Sequence, residues 1–347
     1  MAGRKWKTRK KKRSGCAGLL LGIFLLALLA TGAAGWLVLA PYGPETETFV
    51  EVAPGSSTAL IGRQLEAAGV LRSQFVFDLL RFWKRGKLHA GEYRFDHQAP
   101  ATEVYERIAH GDVFTKALTV PEGANIFDIA TRVEQAGFGT RQEFLDAAVQ
   151  RAGLVADLDP GARSLEGYLF PDTYRFARKS TPGQIATAMV RRFHAVAGQL
   201  ELKENVHEVV TIASLVERET AVDAERPLVA SVFENRLRQK MPLMTDPAVI
   251  YGLERSGQWR GTIEKSDLAR DTAYNTYLHN GLPPGPIANP GIRSLRAAMQ
   301  PAQTDYFYFV AGGTDAQGQS LFSNTLEEHN RQVAEYRHAL KKAGERR

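Results

Sequence analysis

Cys16 to Ala40 is an unbroken run without a charged side chain, rich in Leu, Ala and Gly and carrying Trp36 near its far end. A stretch of about 20 apolar residues is what a helix needs to cross a bilayer. Eight basic residues precede it within the first fourteen positions (Arg4, Lys5, Lys7, Arg9, Lys10, Lys11, Lys12 and Arg13), and no acid occurs before Glu45. The positive-inside rule then predicts one span, with its N-terminus in the cytoplasm and the long remainder on the other side of the membrane. A cleaved signal peptide is the competing reading, since Ala30 to Ala34 offers small residues. The continuation through Leu37-Val-Leu-Ala40 favours an uncleaved anchor. Cys16 is the only cysteine and precedes the run, which argues against a lipoprotein signal and excludes a disulfide within the chain.

The length of 347 residues allows two or three domains, and the formal charge of +6 belongs to the basic tail. From Glu45 onward there are 36 basic against 38 acidic residues, so a body built to bind nucleic acid is not indicated. Tyr42 to Glu47 reads as a linker. Past it the chain repeats: Val52, Gly55, Ile61, Leu65, Glu66, Ala68 and Gly69 match Val120, Gly123, Ile129, Val133, Glu134, Ala136 and Gly137. Each copy predicts a strand, a glycine turn and an amphipathic helix closed by glycine. A second echo follows each copy, Tyr93-Arg-Phe95 and Tyr174-Arg-Phe176.

From about Val206 the pattern predicts longer helices over Asn205–Thr220, Ala224–Gln239, Pro247–Glu254, Ser294–Met299 and Leu326–Lys342, with a strand at Tyr306–Val310. The expected fold is a membrane-anchored α+β chain. Its parts are a basic tail (1–15), a span (16–40), a linker (41–47), two small αβ modules (48–115 and 116–200) and a mixed domain (201–347).

Metal, serine-nucleophile and nucleotide chemistry are poorly supported, because the sequence lacks His-Glu-x-x-His, Gly-x-Ser-x-Gly, a phosphate-cradling Gly-x-x-x-x-Gly-Lys and a cysteine pair. Carboxylate chemistry remains. Val206, Val210, Ala213 and Glu217 share one face of the predicted helix. A glutamate on an apolar face is desolvated, which disfavours its ionised form and suits a general acid. The competing account is a helix-flank glutamate paired with an arginine such as Arg218. Downstream lie Glu219, Asn235, Asp246, Tyr251, Tyr274, Asn275 and Tyr277, amides and aromatics of the kind that line carbohydrate clefts. Structural accounts compete here too: Asp246 before Pro247 has the signature of a helix N-cap, and Tyr251 that of a core residue. The Pro-rich loop Gly281 to Gly291 fixes a backbone on which a ligand could rest.

Six ordered blocks are similar to the endolytic murein transglycosylase (YceG-like) family: Glu166-Gly-Tyr-Leu-Phe-Pro-Asp-Thr-Tyr174, Ala213-Ser-Leu-Val-Glu-Arg-Glu-Thr220, Val229-Ala-Ser-Val-Phe-Glu-Asn-Arg-Leu237, Thr245-Asp-Pro-Ala-Val-Ile-Tyr251, Thr272-Ala-Tyr-Asn-Thr-Tyr277 and Gly281-Leu-Pro-Pro-Gly-Pro-Ile287. The resemblance runs from about Phe49 to the C-terminus, with Glu234 a mild departure. It implies a LysM-like first module and Glu217 as catalytic acid. It also implies non-hydrolytic cleavage of the bond between N-acetylmuramic acid and N-acetylglucosamine in new peptidoglycan strands, closing a 1,6-anhydro ring. Glu219, Asn235, Asp246, Tyr251, Tyr274, Asn275 and Tyr277 are the expected substrate-binding or supporting residues, with no metal or cofactor. The implied setting is the cytoplasmic (inner) membrane, with peptidoglycan synthases (penicillin-binding proteins) as partners. Two rival readings are a muramidase using Glu219, Asp246 or Glu166 to activate water, and a non-catalytic wall-binding scaffold.

Overall fold

The structure is a computed structural model that describes residues 14–312 and 319–344. The basic tail expected on the cytoplasmic side lies almost wholly outside the described residues. The chain divides into two compact units, Met1–Thr115 and Lys116–Arg347.

The first unit begins with helix α1 (Ser14–Leu39), whose segment Leu19–Leu39 is long and apolar enough to cross a membrane. There follow β1 (Thr48–Val52), α2 (Thr58–Ala67), α3 (Gln74–Lys84), β2 (Gly91–Phe95) and α4 (Ala101–His110). The strands pair antiparallel, with Val50 opposite Tyr93, and alternate buried with exposed residues as a half-covered ribbon must. The helices seal the ribbon's inner face through Ile61, Leu65, Phe77, Leu80, Val104 and Ile108. Leu37 and Val38, at the end of α1, pack against this core.

The second unit opens with β3 (Lys116–Thr119), α5 (Ile126–Gln135), α6 (Arg141–Gln150) and β4 (Thr173–Phe176), so strand, helix, helix, strand occurs twice in the chain. β3 and β4 pair antiparallel, with Leu118 opposite Tyr174 as Val50 is opposite Tyr93. The repeat read from sequence is therefore a repeat of strand pairing. Its helix-closing glycines, Gly69 and Gly137, both take left-handed φ values just past a helix end, where a side chain would be strained.

The chain continues as α7 (Pro182–Leu200), α8 (Val206–Glu219), α9 (Arg226–Arg238), α10 (Asp246–Arg255), α11 (Ile292–Met299), the hairpin β5 (Tyr308–Ala311) with β6 (Ser320–Ser323), and α12 (Leu326–Gly344). Every residue of α8 from Val210 to Val216 is buried, because α9, α10 and α11 all pack on it. A single apolar core runs from Leu118 to Ala298, so residues 116–200 share one interior with the helices that follow.

The Pro-rich loop is a strap within that core. Asn289 is fully buried, its amide donating to Ala124 O and Glu166 Oε1 at 2.9 Å while its carbonyl oxygen accepts from Leu169 N at 2.8 Å. Ile287 N donates to Ser214 Oγ on α8. Residues 285–291 are all buried, so this part of the loop works as internal scaffolding, while Pro284 is exposed. At the start of α10, Thr245 holds the N-cap position and Asp246 is the first helical residue, which frees the Asp246 carboxylate from the capping role.

Candidate functional site

Two glutamates two residues apart on a helix point in nearly opposite directions. On α8 this sends Glu217 and Glu219 to different surroundings. Glu217 turns toward α9 and α11: its Oε1 accepts from Arg226 Nη1 at 2.9 Å and its Oε2 from Gly291 N at 2.9 Å. Both side chains of this ion pair are 5% exposed. Arg226 also donates to Ser294 Oγ and to Asp223. Each Glu217 oxygen thus accepts one hydrogen bond from the protein, and the side chain is shielded almost completely from solvent.

Glu219, the last residue of α8, opens instead into a cleft of about 410 Å³ that Asp246, Tyr277, Arg236, Tyr308 and His329 help to line. Burial pushes its carboxyl up to about 7, and the neighbouring Asp246 charge adds to this, against the pull of the Thr245 hydroxyl, Arg236 and Arg218. In the same cleft the Tyr277 hydroxyl donates to Asp246 Oδ1 at 2.6 Å. Burial and the Asp246 carboxylate both push the Tyr277 phenol well above its ordinary value, so it stays a donor.

The wall is built from α9, β5 and α12. Arg236 donates to Phe307 O and Leu243 O, both at 2.7 Å, and its guanidinium lies over the Tyr308 ring. Tyr308 stacks on His329 with ring centres 5.2 Å apart. Burial, with the Arg236 charge beside it, holds the His329 imidazole below its ordinary value and hence neutral.

Of the residues expected from sequence, Glu219, Asp246 and Tyr277 converge on the cleft. Asn235 serves the scaffold, its amide donating to Thr304 O and Tyr306 O. Asn275 is fully buried, donates to Leu268 O and Arg270 O, and accepts from Tyr277 N, so it shapes the loop that delivers Tyr277. Tyr251 is buried and packs edge-on against Tyr274. Tyr274 and Glu166 border a separate, smaller cavity. Glu166 is itself buried and accepts from Ile126 N and Asn289; burial pushes it up to about 8. Glu166 borders that separate cavity and is not among the residues lining the Glu219 cleft. The sequence pattern does not single out Arg236, Tyr308 or His329 as cleft residues. Arg236 sits in the Asn-Arg-Leu block, but Tyr308 and His329 come from elements whose pattern signals only secondary structure. Among the described residues no cluster of side chains is arranged to hold a metal ion.

The YceG-like family model matches residues 50–335. The chain is 33% identical over 329 residues to a Bacillus subtilis (strain 168) protein named endolytic murein transglycosylase, covering 87% of this chain and 89% of that one. A Streptococcus pneumoniae (strain D39) protein of the same name is 30% identical over 355 residues, covering 90% of this chain, which spans 64% of the pneumococcal length. Among solved structures, a YceG-like protein from Listeria monocytogenes is 31% identical with a TM-score of 0.56, covering 83% of this chain and 99% of that one. The chain belongs to the YceG-like family.

Proposed function

We propose that this protein is a membrane-anchored endolytic murein transglycosylase whose catalytic acid and base is Glu219. The reading rests on one observation: Glu219 is the carboxyl that opens into the cleft and is held near neutrality, while Glu217 is spent on Arg226 and Gly291. The family assignment and the names of the relatives supply the substrate class, peptidoglycan glycan.

Glu219 in its protonated form donates to the glycosidic oxygen as the bond from muramoyl C1 breaks. The carboxylate left behind takes the proton of the same sugar's C6 hydroxyl, whose oxygen attacks C1 and closes the 1,6-anhydro ring. One group serves both steps, so water is not consumed and no second carboxylate is required. A carboxyl titrating near 7 fits this double duty, since it gives and regains a proton at comparable cost. The Tyr277 hydroxyl and the Asp246 carboxylate line the same cleft and serve as fixed polar partners for the sugar hydroxyls and for positive charge developing at C1.

The placement of Asp246 also favours one alternative, hydrolysis of the same bond with Asp246 activating water. The two are separated by mass spectrometry of products from uncrosslinked glycan strands. Chains ending in 1,6-anhydro-N-acetylmuramic acid support the transglycosylase, and free reducing ends support the hydrolase. Loss of either product in Glu219→Gln, with retention in Glu217→Gln, identifies the acid.

Around this centre we read the first unit as LysM-like, a reading its strand-helix-helix-strand order supports. α1 anchors the protein in the cytoplasmic membrane with the body outside. Cleavage by an enzyme tethered to that membrane would act on newly made strands and end their growth, beside the synthases that extend them.

A further inference from the structure

Helix α3 has an apolar face the protein does not cover. Val76, Phe77 and Leu80 are buried in the first unit's core, while Phe75, Leu79, Phe82 and Trp83 are 72%, 51%, 74% and 79% exposed. At 3.6 residues per turn, the four exposed side chains fall within an arc of about 100° beside the buried arc. Scattered exposed hydrophobes need no explanation, but two Phe, a Trp and a Leu contiguous on one helix do. The flanks are basic: between Arg72 and Lys87 there are five cations, Arg72, Arg81, Lys84, Arg85 and Lys87, against one acid, Asp78. Lys84 is paired with Glu106, whereas Arg85 and Lys87 join no ion pair among the described residues.

The beginning of α3 is held at the end of α1. The Arg72 guanidinium lies over the Trp36 ring at 4.5 Å and the Tyr42 ring at 4.6 Å, and it donates to Pro41 O at 3.3 Å. Ser73, the next residue, caps α3. Trp36 is in the last turn of the membrane-length helix and Tyr42 just beyond it, positions at which such aromatics mark the water–lipid boundary. α3 therefore starts at the level where α1 leaves the bilayer.

We propose that α3 lies in the membrane surface from which α1 emerges, with Phe75, Leu79, Phe82 and Trp83 in the acyl-headgroup boundary and Arg85 and Lys87 on lipid phosphates. Aromatic residues and leucine on one face, bordered by arginine and lysine, are the composition of an interfacial helix. The occupant is the bilayer that α1 already crosses, and contact with it fixes the height of the first unit above the membrane.

The test uses the full chain in vesicles of phosphatidylcholine and phosphatidylglycerol. With Cys16→Ser as background, a single cysteine is introduced as Phe82→Cys and labelled with an environment-sensitive fluorophore; Ala67→Cys, exposed on α2, is the control. Both are surface positions, so the core is untouched. The expected result is a several-fold brighter, blue-shifted emission at position 82 than at 67, quenched most by lipids with a spin label high on the acyl chain. Emission at 82 matching that at 67, with no lipid quenching, overturns the proposal. So does a blue shift that appears only when glycan strands or a second protein are added, since that assigns the face to another partner. Glycan cleavage is read separately, so failure of the catalytic reading leaves this test standing.

Discussion

Glu217→Gln and Glu219→Gln should have opposite consequences, although the two residues are separated only by Arg218. Glu217 is half of an ion pair whose side chains are both 5% exposed. Removing one partner from such a pair costs about 3–5 kcal/mol, because the other charge stays buried. A glutamine carbonyl can still accept one hydrogen bond, which places the loss near 3 kcal/mol. In a unit of this size each kcal/mol lowers the melting temperature by about 2–4 °C, so a fall of about 6–12 °C is expected.

Glu219 is the reverse case. Its folded carboxyl titrates at about 7 against an ordinary 4.5, so between those values the folded state holds a proton the unfolded state has lost. Stability therefore falls as pH rises through that window, and above it a constant penalty on the order of 3 kcal/mol remains. Glu219→Gln relieves this penalty, raising the melting temperature at pH 8 and leaving it near wild type at pH 4.5. It should also lower strand cleavage by about 10²–10⁴-fold, the range for loss of a general acid–base. Scanning calorimetry at the two pH values, paired with mass-spectrometric counting of anhydro ends, reads both effects. A Glu217→Gln protein that melts normally yet no longer cleaves would refute the reasoning at its root.

On the proposed mechanism cleavage needs the Glu219 proton, so its rate should decline about tenfold per pH unit above about 7, followed as anhydro ends released between pH 5 and 9. A flat profile there would exclude Glu219 as the acid. Asn289→Ala removes three buried hydrogen bonds at a fully buried position, a loss of about 3 kcal/mol or more that calorimetry should register as a large fall in melting temperature. A shift of under about 2 °C would mean that these bonds do not hold the strap in place. Tyr277→Phe keeps the ring but deletes the donor to Asp246; cleavage should slow about tenfold with little change in melting temperature, and an unchanged rate would remove Tyr277 from the site.

Much of this architecture is written locally. The 68-residue echo between Val52 and Val120 carries the same turn and helix closure in both copies, and local chemistry suffices to read it. The helix over α8 was equally legible from its apolar spacing. Which of its two glutamates faces the cleft was not, because that depends on Arg226 and on a backbone amide at Gly291, distant in sequence. The spacing that made Glu217 look desolvated does record burial, but it is silent on the cation buried alongside. Asn235 and Asn275 illustrate the same difficulty: an amide reads as a ligand group until its carbonyl partners, Thr304, Tyr306, Leu268 and Arg270, are in place. His329 and Tyr308 come to line the same cleft as Glu219 only by tertiary packing. Helical or strand periodicity does not say which neighbour a side chain meets.

The long reach of these contacts bears on when the protein can become active during its synthesis. Asn289 joins segments more than 120 residues apart, and α12 supplies the last wall of the cleft. A chain emerging N-terminus first has its anchor and its first unit long before the Glu219 cleft can close. The cleft is thus completed only after almost the whole polypeptide has been synthesised. A prematurely released chain lacking α12 would carry the anchor and Glu219 but an unfinished cleft, a built-in safeguard for an enzyme that cuts the polymer protecting the cell.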